Sequence, residues 1–386
     1  MSITKLFLIV IRSFVTNEPI EQQLKPHFTQ EAIEVLFAIA KAHDVVQIVS
    51  DVLFKNNLLP KEAPITEKYQ KSQIKALCRY MNIEREQQRI YALFENEGIE
   101  FIPLKGAVIR QYYPDPYMRT SCDIDILVRE DDLSRAVEAL VANLNYKSND
   151  TIDFHDISLF SQSGVHLELH YNLKEKHENL DRLLVQVWDY SINVENKNYH
   201  KLETSEFYIF HHIAHMVNHF LRGGCGIRTF IDLYFIEKYF DYDPAALSTL
   251  LKESEVETFY DTARQCVSVW FGDAQTTEAV DLIEQFVLKG GVYGTKVNRI
   301  SIDQTKQGGK AKYLLSRIFV PYNTLKYKYP VLQKCKVLLP VMWFVRIVSF
   351  VSPQKRKRAQ SELEMHKNIS ESAEKQTERM IKLLEI

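Results

Sequence analysis

Two short segments of this chain alternate between apolar and ionisable residues. One is Asp-Ile-Asp-Ile at 123–126, running into Leu127 and Val128; the other is Val-His-Leu-Glu-Leu-His at 165–170. Side chains along a strand point to opposite faces in turn. A strand over 123–128 therefore sends Asp123 and Asp125 one way and Ile124 and Ile126 the other. In the second segment Val165, Leu167 and Leu169 share a face, and His166, Glu168 and His170 share the opposite one. The apolar faces ask for helices to pack on them. The acidic faces gather carboxylates that repel one another unless something positive lies between them.

The sequence around these strands, about 98–175, reads as a compact α/β unit. "IEFIPLKGAV" predicts a short strand ending in a turn at Lys105-Gly106, and Ala107 to Tyr113 allows one or two helical turns before Pro114 and Pro116. "DDLSRAVEALVANL" predicts a helix capped by Asp131 or Asp132, with Leu133, Val137, Leu140 and Val141 as its buried stripe. "HDISLF" and "VHLELHY" flank "SQSG", a hairpin pattern. The rest is helical. Residues 1–97 carry apolar residues at three- and four-residue spacing, and "EREQQRIYALFENEG" puts Ile90, Leu93 and Phe94 on one face with Gly98 as terminator. The opening "MSITKLFLIVIRSFV" reads as an amphipathic helix rather than a leader, because Arg12 interrupts it and no small-residue cleavage pattern follows. After about 176, "SEFYIFHHIAHMVNHFL" is a long helix broken at Gly223-Gly224, with "RTFIDLYFIEKYF", "PAALSTLLKES" and "AVDLIEQFVLKGG" beyond it. The expected class is α+β and mostly helical: a helical domain at 1–97, the α/β core at 98–175, a second helical domain at 176–300, and a basic hydrophobic region with a charged tail at 301–386.

Paired carboxylates suit a divalent cation, and Mg²⁺ takes one or two of them together with substrate phosphates and water. Glu168 supplies a third carboxylate if its strand lies beside 123–128. Two ions roughly 3.5–4 Å apart can then activate a hydroxyl and stabilise a leaving phosphate. The "LKGA" turn fits the same chemistry. Gly106 admits close approach of a phosphate, the following backbone N–H groups favour anions, and Lys105 and Arg119 add positive charge. The alternative for these two cations is a set of local salt bridges to the aspartates. Ser121, beside the acidic pair, joins the candidate nucleotide contacts.

The ordered string "LKGAVIRQYYPDPYMRTSCDIDILV" followed by "HLELHYNL" resembles the uncharacterised nucleotidyltransferase family of the DNA polymerase β-like superfamily. The resemblance runs over roughly 30–345 and includes "HHIAHMVNHFLRGGCGIRTFIDLYFI". It implies a polymerase β-like core in which Asp123, Asp125 and Glu168 bind Mg²⁺ (or Mn²⁺), with Lys105, Gly106 and Arg119 on the triphosphate. It implies transfer of a nucleoside monophosphate from an NTP to a hydroxyl of an unidentified acceptor. The superfamily turn usually carries Ser or Thr after the glycine; here Ala107 follows Gly106, which keeps open a nucleotide-binding protein with weak turnover. His170 matches the family's strand-ending histidine, and its roles remain a carboxylate or nucleotide hydrogen bond or orientation of the strand.

His211, His215 and His219 recur every four residues beside His212. No HExxH arrangement accompanies them, so zinc is the lesser reading and a cleft-lining role the greater, with His215 against base or ribose. Arg228 and Asp232 have the spacing of a helical ion pair, the default reading, with a cleft role for Arg228 as the other. "TKQGGK" at 305–310 lacks the full phosphate-loop pattern, and "KGGVYG" at 289–294 reads as a helix end. Between Gln304 and Gln360 stand thirteen Lys and Arg residues and no Asp or Glu. With aromatic and aliphatic residues interleaved, region 304–361 suits a helical hairpin with a charged rim, a membrane surface or partner protein, or, less well, nucleic acid. The scattered cysteines and the short, interrupted apolar runs suggest a cytoplasmic protein, with a peripheral membrane position open.

Overall fold

The computed structural model describes residues 1–152, 155–292, 294–306 and 371–386, with scattered positions between, chiefly 331–349. Gln307–Lys310 of the "TKQGGK" segment and eight of the thirteen basic residues of region 304–361, namely Lys310, Arg317, Lys326, Lys328 and residues 355–358, lie outside the described residues.

Five strands form one mixed sheet: β1 (Phe101–Pro103), β2 (Asp123–Val128), β3 (Lys147–Ile152), β4 (Asp156–Phe160) and β5 (His166–His170), in the order β1-β2-β5-β4-β3. β2 and β5 run parallel, with Asp123 opposite His166 and Asp125 opposite Glu168. The other pairs are antiparallel. The β4–β5 hairpin turns at Gly164, whose φ of +80° suits glycine. A second hairpin, β6 (Ser191–Asn193) with β7 (Lys201–Glu203), lies beside β1 through a bridge between Phe101 and His200.

Around the sheet stand α1 (Ile3–Thr16), α2 (Gln30–Ala42), α3 (Val46–Lys55), α4 (Pro64–Glu97), α5 (Gly106–Ile109), α6 (Leu133–Leu144), α7 (Glu178–Leu184), α8 (Ser205–Leu221), α9 (Ile227–Tyr239), α10 (Pro244–Glu253), α11 (Glu257–Trp270), α12 (Glu278–Leu288) and α13 (Lys296–Lys306). No helix of the described residues is long and apolar enough to cross a membrane.

The alternation in β2 sorts its side chains between two cores. Ile124, Ile126 and Val128 join Leu167 and Leu169 of β5, Ile90 and Phe94 of α4, and Leu140 of α6. Leu127, from the acidic face, joins a larger core built from the N-terminal helices and α8 to α12. Full burial of a side chain such as Ile126 contributes about 1.5–3 kcal/mol, so slipping β2 by one residue would be costly. The acidic face thus looks toward the body of helices.

Two details of α6 differ from the sequence reading. Glu130–Asp132 form a 3₁₀ turn, Asp132 makes no side-chain cap, and its carboxylate pairs instead with Arg135 at 3.2 Å. The buried positions are Ala136, Ala139 and Leu140, while Val141 is exposed.

His43, between α2 and α3, ties the helical halves together. Its Nδ1 accepts from the Ile227 N–H at 3.2 Å, and its Nε2 lies 3.5 Å from the Leu288 carbonyl. One neutral tautomer satisfies both contacts, and burial pushes the imidazole down from 6.5 to about 4. The unfolded chain then binds the extra proton first, so stability is full above about pH 6.5 and declines as pH falls toward 4. The His43 share is roughly 3 kcal/mol. Urea unfolding across this window should show a shallower decline in His43→Asn than in the wild type.

Candidate active site

The turn after β1 begins the site. Lys105 adopts φ +47°, a conformation that costs a non-glycine residue about 1 kcal/mol or more. Its carbonyl is held by the Tyr208 hydroxyl of α8 at 2.9 Å and by the N–H groups of Val108 and Ile109. The side chain turns toward β2, and Nζ lies 2.9 Å from Asp125 Oδ1. Only one turn of α5 follows, so the charge offered to an anion comes from side chains more than from a helix dipole.

Two guanidinium groups flank Gly106. A Cβ added there would stand 3.0 Å from Arg119 Nη1 and 3.7 Å from Arg110 Nη2. Arg119 does not pair with Asp123 or Asp125. Its Nε and Nη2 donate to both carboxylate oxygens of Asp232 on α9, the closest at 2.8 Å. Asp232 is consequently not the partner of Arg228. That guanidinium donates instead to Asp44 at 2.7 Å and to the Thr120 carbonyl at 3.2 Å, and its buried Nε has no hydrogen-bond partner among the described residues. Arg110 is 5% exposed and pairs with no carboxylate among the described residues. It donates to the Gly106 carbonyl and to Ser121 Oγ at 3.0 Å, and Ser121 donates in turn to the Asp123 carbonyl. Burial and the neighbouring Arg119 both push its guanidinium down.

The carboxylates converge as the alternation requires. Asp125 is anionic: burial opposes its charge, but Lys105 and His170 hold the carboxyl well below the ordinary range. Asp123 has no such ion pair among the described residues. Burial, Asp125 and Glu168 push it up. Burial works against the His170 imidazolium, but the bond from Nε2 to Asp125 Oδ1, 3.1 Å, raises it overall. Two groups of donor atoms, Asp123–His166–Glu168 and Asp125–Glu168–His170, each lie within 4.8 Å of one another and share Glu168. Negative charge uncompensated at Asp123, with a carboxylate shared between two groups, fits divalent cations.

Above this acidic floor opens a cavity of about 740 Å³, in the range of small-molecule sites. Lys105, Gly106, Arg119, Ser121, Asp123, Asp125, Glu168 and His170 line it on the sheet side. His215 and Arg228 line the helical side, with His211, His212 and His219 of the same helix. His215 is engaged at both nitrogens, with Glu175 at 2.9 Å and His219 at 3.0 Å, and burial pushes it well down. His211 bonds Glu203, and His212 the Thr229 carbonyl. The wall is completed by two glycine loops. Gly224 packs on Gly294, and a Cβ at Gly294 would lie only 1.9 Å from the Gly223 carbonyl.

Sequence reading overlooked Arg110, Asp44, Glu175 and the second glycine loop as parts of this wall, and His166 as a donor beside Asp123 and Glu168. Arg110 carried a usable signal, since it stands one helical turn beyond Gly106. Asp44 and Glu175 carried none, because tertiary packing alone brings them in.

A glycine turn leading to an acidic strand, a parallel neighbour bearing the third carboxylate, and a helical half closing the cleft define the nucleotidyltransferase class. Residues 29–272 match the family described as "Uncharacterised nucleotidyltransferase", and the chain belongs to that family. No curated protein and no solved structure matches it.

Proposed function

We propose that the protein transfers a nucleoside monophosphate from an NTP to a hydroxyl of an acceptor and releases pyrophosphate. The observation that carries this reading is the parallel pairing that sets Asp125 opposite Glu168 on the floor of a cavity reached by the Lys105-Gly106 turn. Asp123, Asp125 and Glu168 would hold Mg²⁺ or Mn²⁺, which when bound supplies Lewis-acid charge and makes the acceptor hydroxyl more acidic.

Gly106, Lys105, Arg119 and Ser121 take the triphosphate. Arg110 joins them, because its buried charge pairs with no carboxylate among the described residues and a phosphate would neutralise it. The acceptor oxygen attacks the α-phosphorus as the bond to the bridging oxygen breaks. Lys105 and His170 pin Asp125, so Glu168, 28% exposed, is the freer carboxylate to take the hydroxyl proton. His215 and Arg228 line the helical side of the cavity, where base or acceptor would lie.

Gly106→Ala should fold, since the backbone at Gly106 is not left-handed, but the new methyl must displace the Arg119 guanidinium by a few tenths of an ångström. Its KM for NTP should rise on the order of tenfold with smaller change in kcat, a split read from initial rates. The function itself is tested by pyrophosphate release from each of the four NTPs with Mg²⁺ or Mn²⁺, with and without cell extract as acceptor source. Release is expected with at least one NTP. NTP binding without release would favour a binding protein that keeps the fold, the reading to which Ala107 points.

A further inference from the structure

Each of the two donor groups contains one imidazole, and the ring of His166 is fixed as a ligand would be. It stacks on Phe160 of β4 with centroids 4.7 Å apart and planes 14° from parallel. Its Nε2 is 3.0 Å from Ser158 Oγ, and its Nδ1 is 4.0 Å from Glu168 Oε1. Register places it directly opposite Asp123, the carboxyl without such an ion pair among the described residues. We propose that His166 Nδ1 completes a metal position with Asp123 and Glu168, and that this mixed nitrogen and oxygen donor set favours Mn²⁺ over Mg²⁺.

A metal-bound imidazole needs its other nitrogen protonated and given to an acceptor. At His166 that acceptor is present: with Nδ1 on the ion, the Nε2–H donates to Ser158 Oγ. His170 is the competing imidazole, and it fails the same requirement. Its Nε2 is engaged by Asp125, and its buried Nδ1 has no hydrogen-bond partner among the described residues. Ligation through Nε2 would move the proton to Nδ1, where no acceptor waits among the described residues. His170 therefore positions Asp125, and His166 ligates. Imidazole suits first-row transition ions, whereas Mg²⁺ keeps oxygen and water. The inference rests on the reading that these carboxylates hold a divalent ion.

The test uses the purified full chain and MnCl₂ alone, with no nucleotide. Pulsed electron paramagnetic resonance should show ¹⁴N modulation from one imidazole on bound Mn²⁺. The modulation should vanish in His166→Gln and persist in His170→Gln. Mn²⁺ affinity should fall about tenfold or more in His166→Gln and in Ser158→Ala, while competing Mg²⁺ affinity changes less than twofold. Bound Mn²⁺ without ¹⁴N modulation in the wild type would overturn the proposal, and that measurement needs no variant to fold. Modulation lost in His170→Gln but kept in His166→Gln would overturn it as well. Absence of any Mn²⁺ binding would overturn the metal reading beneath it, so the two failures are distinct. Nucleotidyl transfer can fail in its own assay while the nitrogen signal remains.

Discussion

Asp125→Asn should reduce pyrophosphate release by on the order of 10³-fold while leaving the fold intact. The change keeps shape and removes one charge from the sheet-side floor formed by Asp123, Asp125 and Glu168. Asp125 is the anion that Lys105 and His170 organise, at 2.9 Å and 3.1 Å. Its loss weakens the cation position and leaves Lys105 without its nearest counter-charge. Removing charge stabilisation of this kind costs about 4 kcal/mol of barrier, equivalent to roughly three decades in rate. The backbone of β2 is untouched, since its pairing and the Leu104 N–H bond to the Asp125 carbonyl do not involve the side chain. Initial rates and circular dichroism on the same preparation check both halves. Wild-type rates in a folded Asp125→Asn protein would exclude this carboxylate from the chemistry.

The second large effect concerns stability. Asp232→Ala should destabilise the protein by about 3–5 kcal/mol, because it strands a buried guanidinium. Asp232 is 1% exposed and accepts from Arg119 Nε and Nη2 and from the Tyr113 hydroxyl at 2.6 Å. Burial opposes its charge, and Arg119 holds the carboxyl below the ordinary range all the same. Arg119 in turn sits against Gly106, so the pair locks the Lys105-Gly106 turn onto α9. Urea midpoints should fall sharply in the single variant. The double variant Arg119→Met/Asp232→Leu should recover most of the loss, since an apolar pair of similar volume replaces both charges. It should not recover nucleotide affinity. Recovery of both would mean that the pair serves stability alone.

Much of the site was legible because alternation is a local property. Asp123 and Asp125 against Ile124 and Ile126 required no knowledge of the fold, and neither did the hairpin before Glu168. The choice of neighbour was not local: that β5 lies parallel to β2, with Glu168 opposite Asp125, depends on a crossover through α6, β3 and β4. The expected Arg228–Asp232 pair failed for a similar reason. Spacing of four on a helix offers a few tenths of a kcal/mol, and a bidentate, buried guanidinium from elsewhere in the chain outcompetes it. On α6, alanines took the buried stripe from Val141. Strand β3 escaped notice because its sequence, KSNDTI, is polar, and β6 and β7 because they are only three residues long.

The most direct test of nucleotidyl transfer follows the label. The protein is incubated with Mn²⁺ or Mg²⁺, cell extract, and NTP labelled at either the α- or the γ-phosphorus, alongside Asp125→Asn. Label from the α position should enter an acceptor, label from the γ position should leave as pyrophosphate, and Asp125→Asn should do neither. Transfer of the γ label to the acceptor, or equal transfer by wild type and Asp125→Asn, would contradict the assignment.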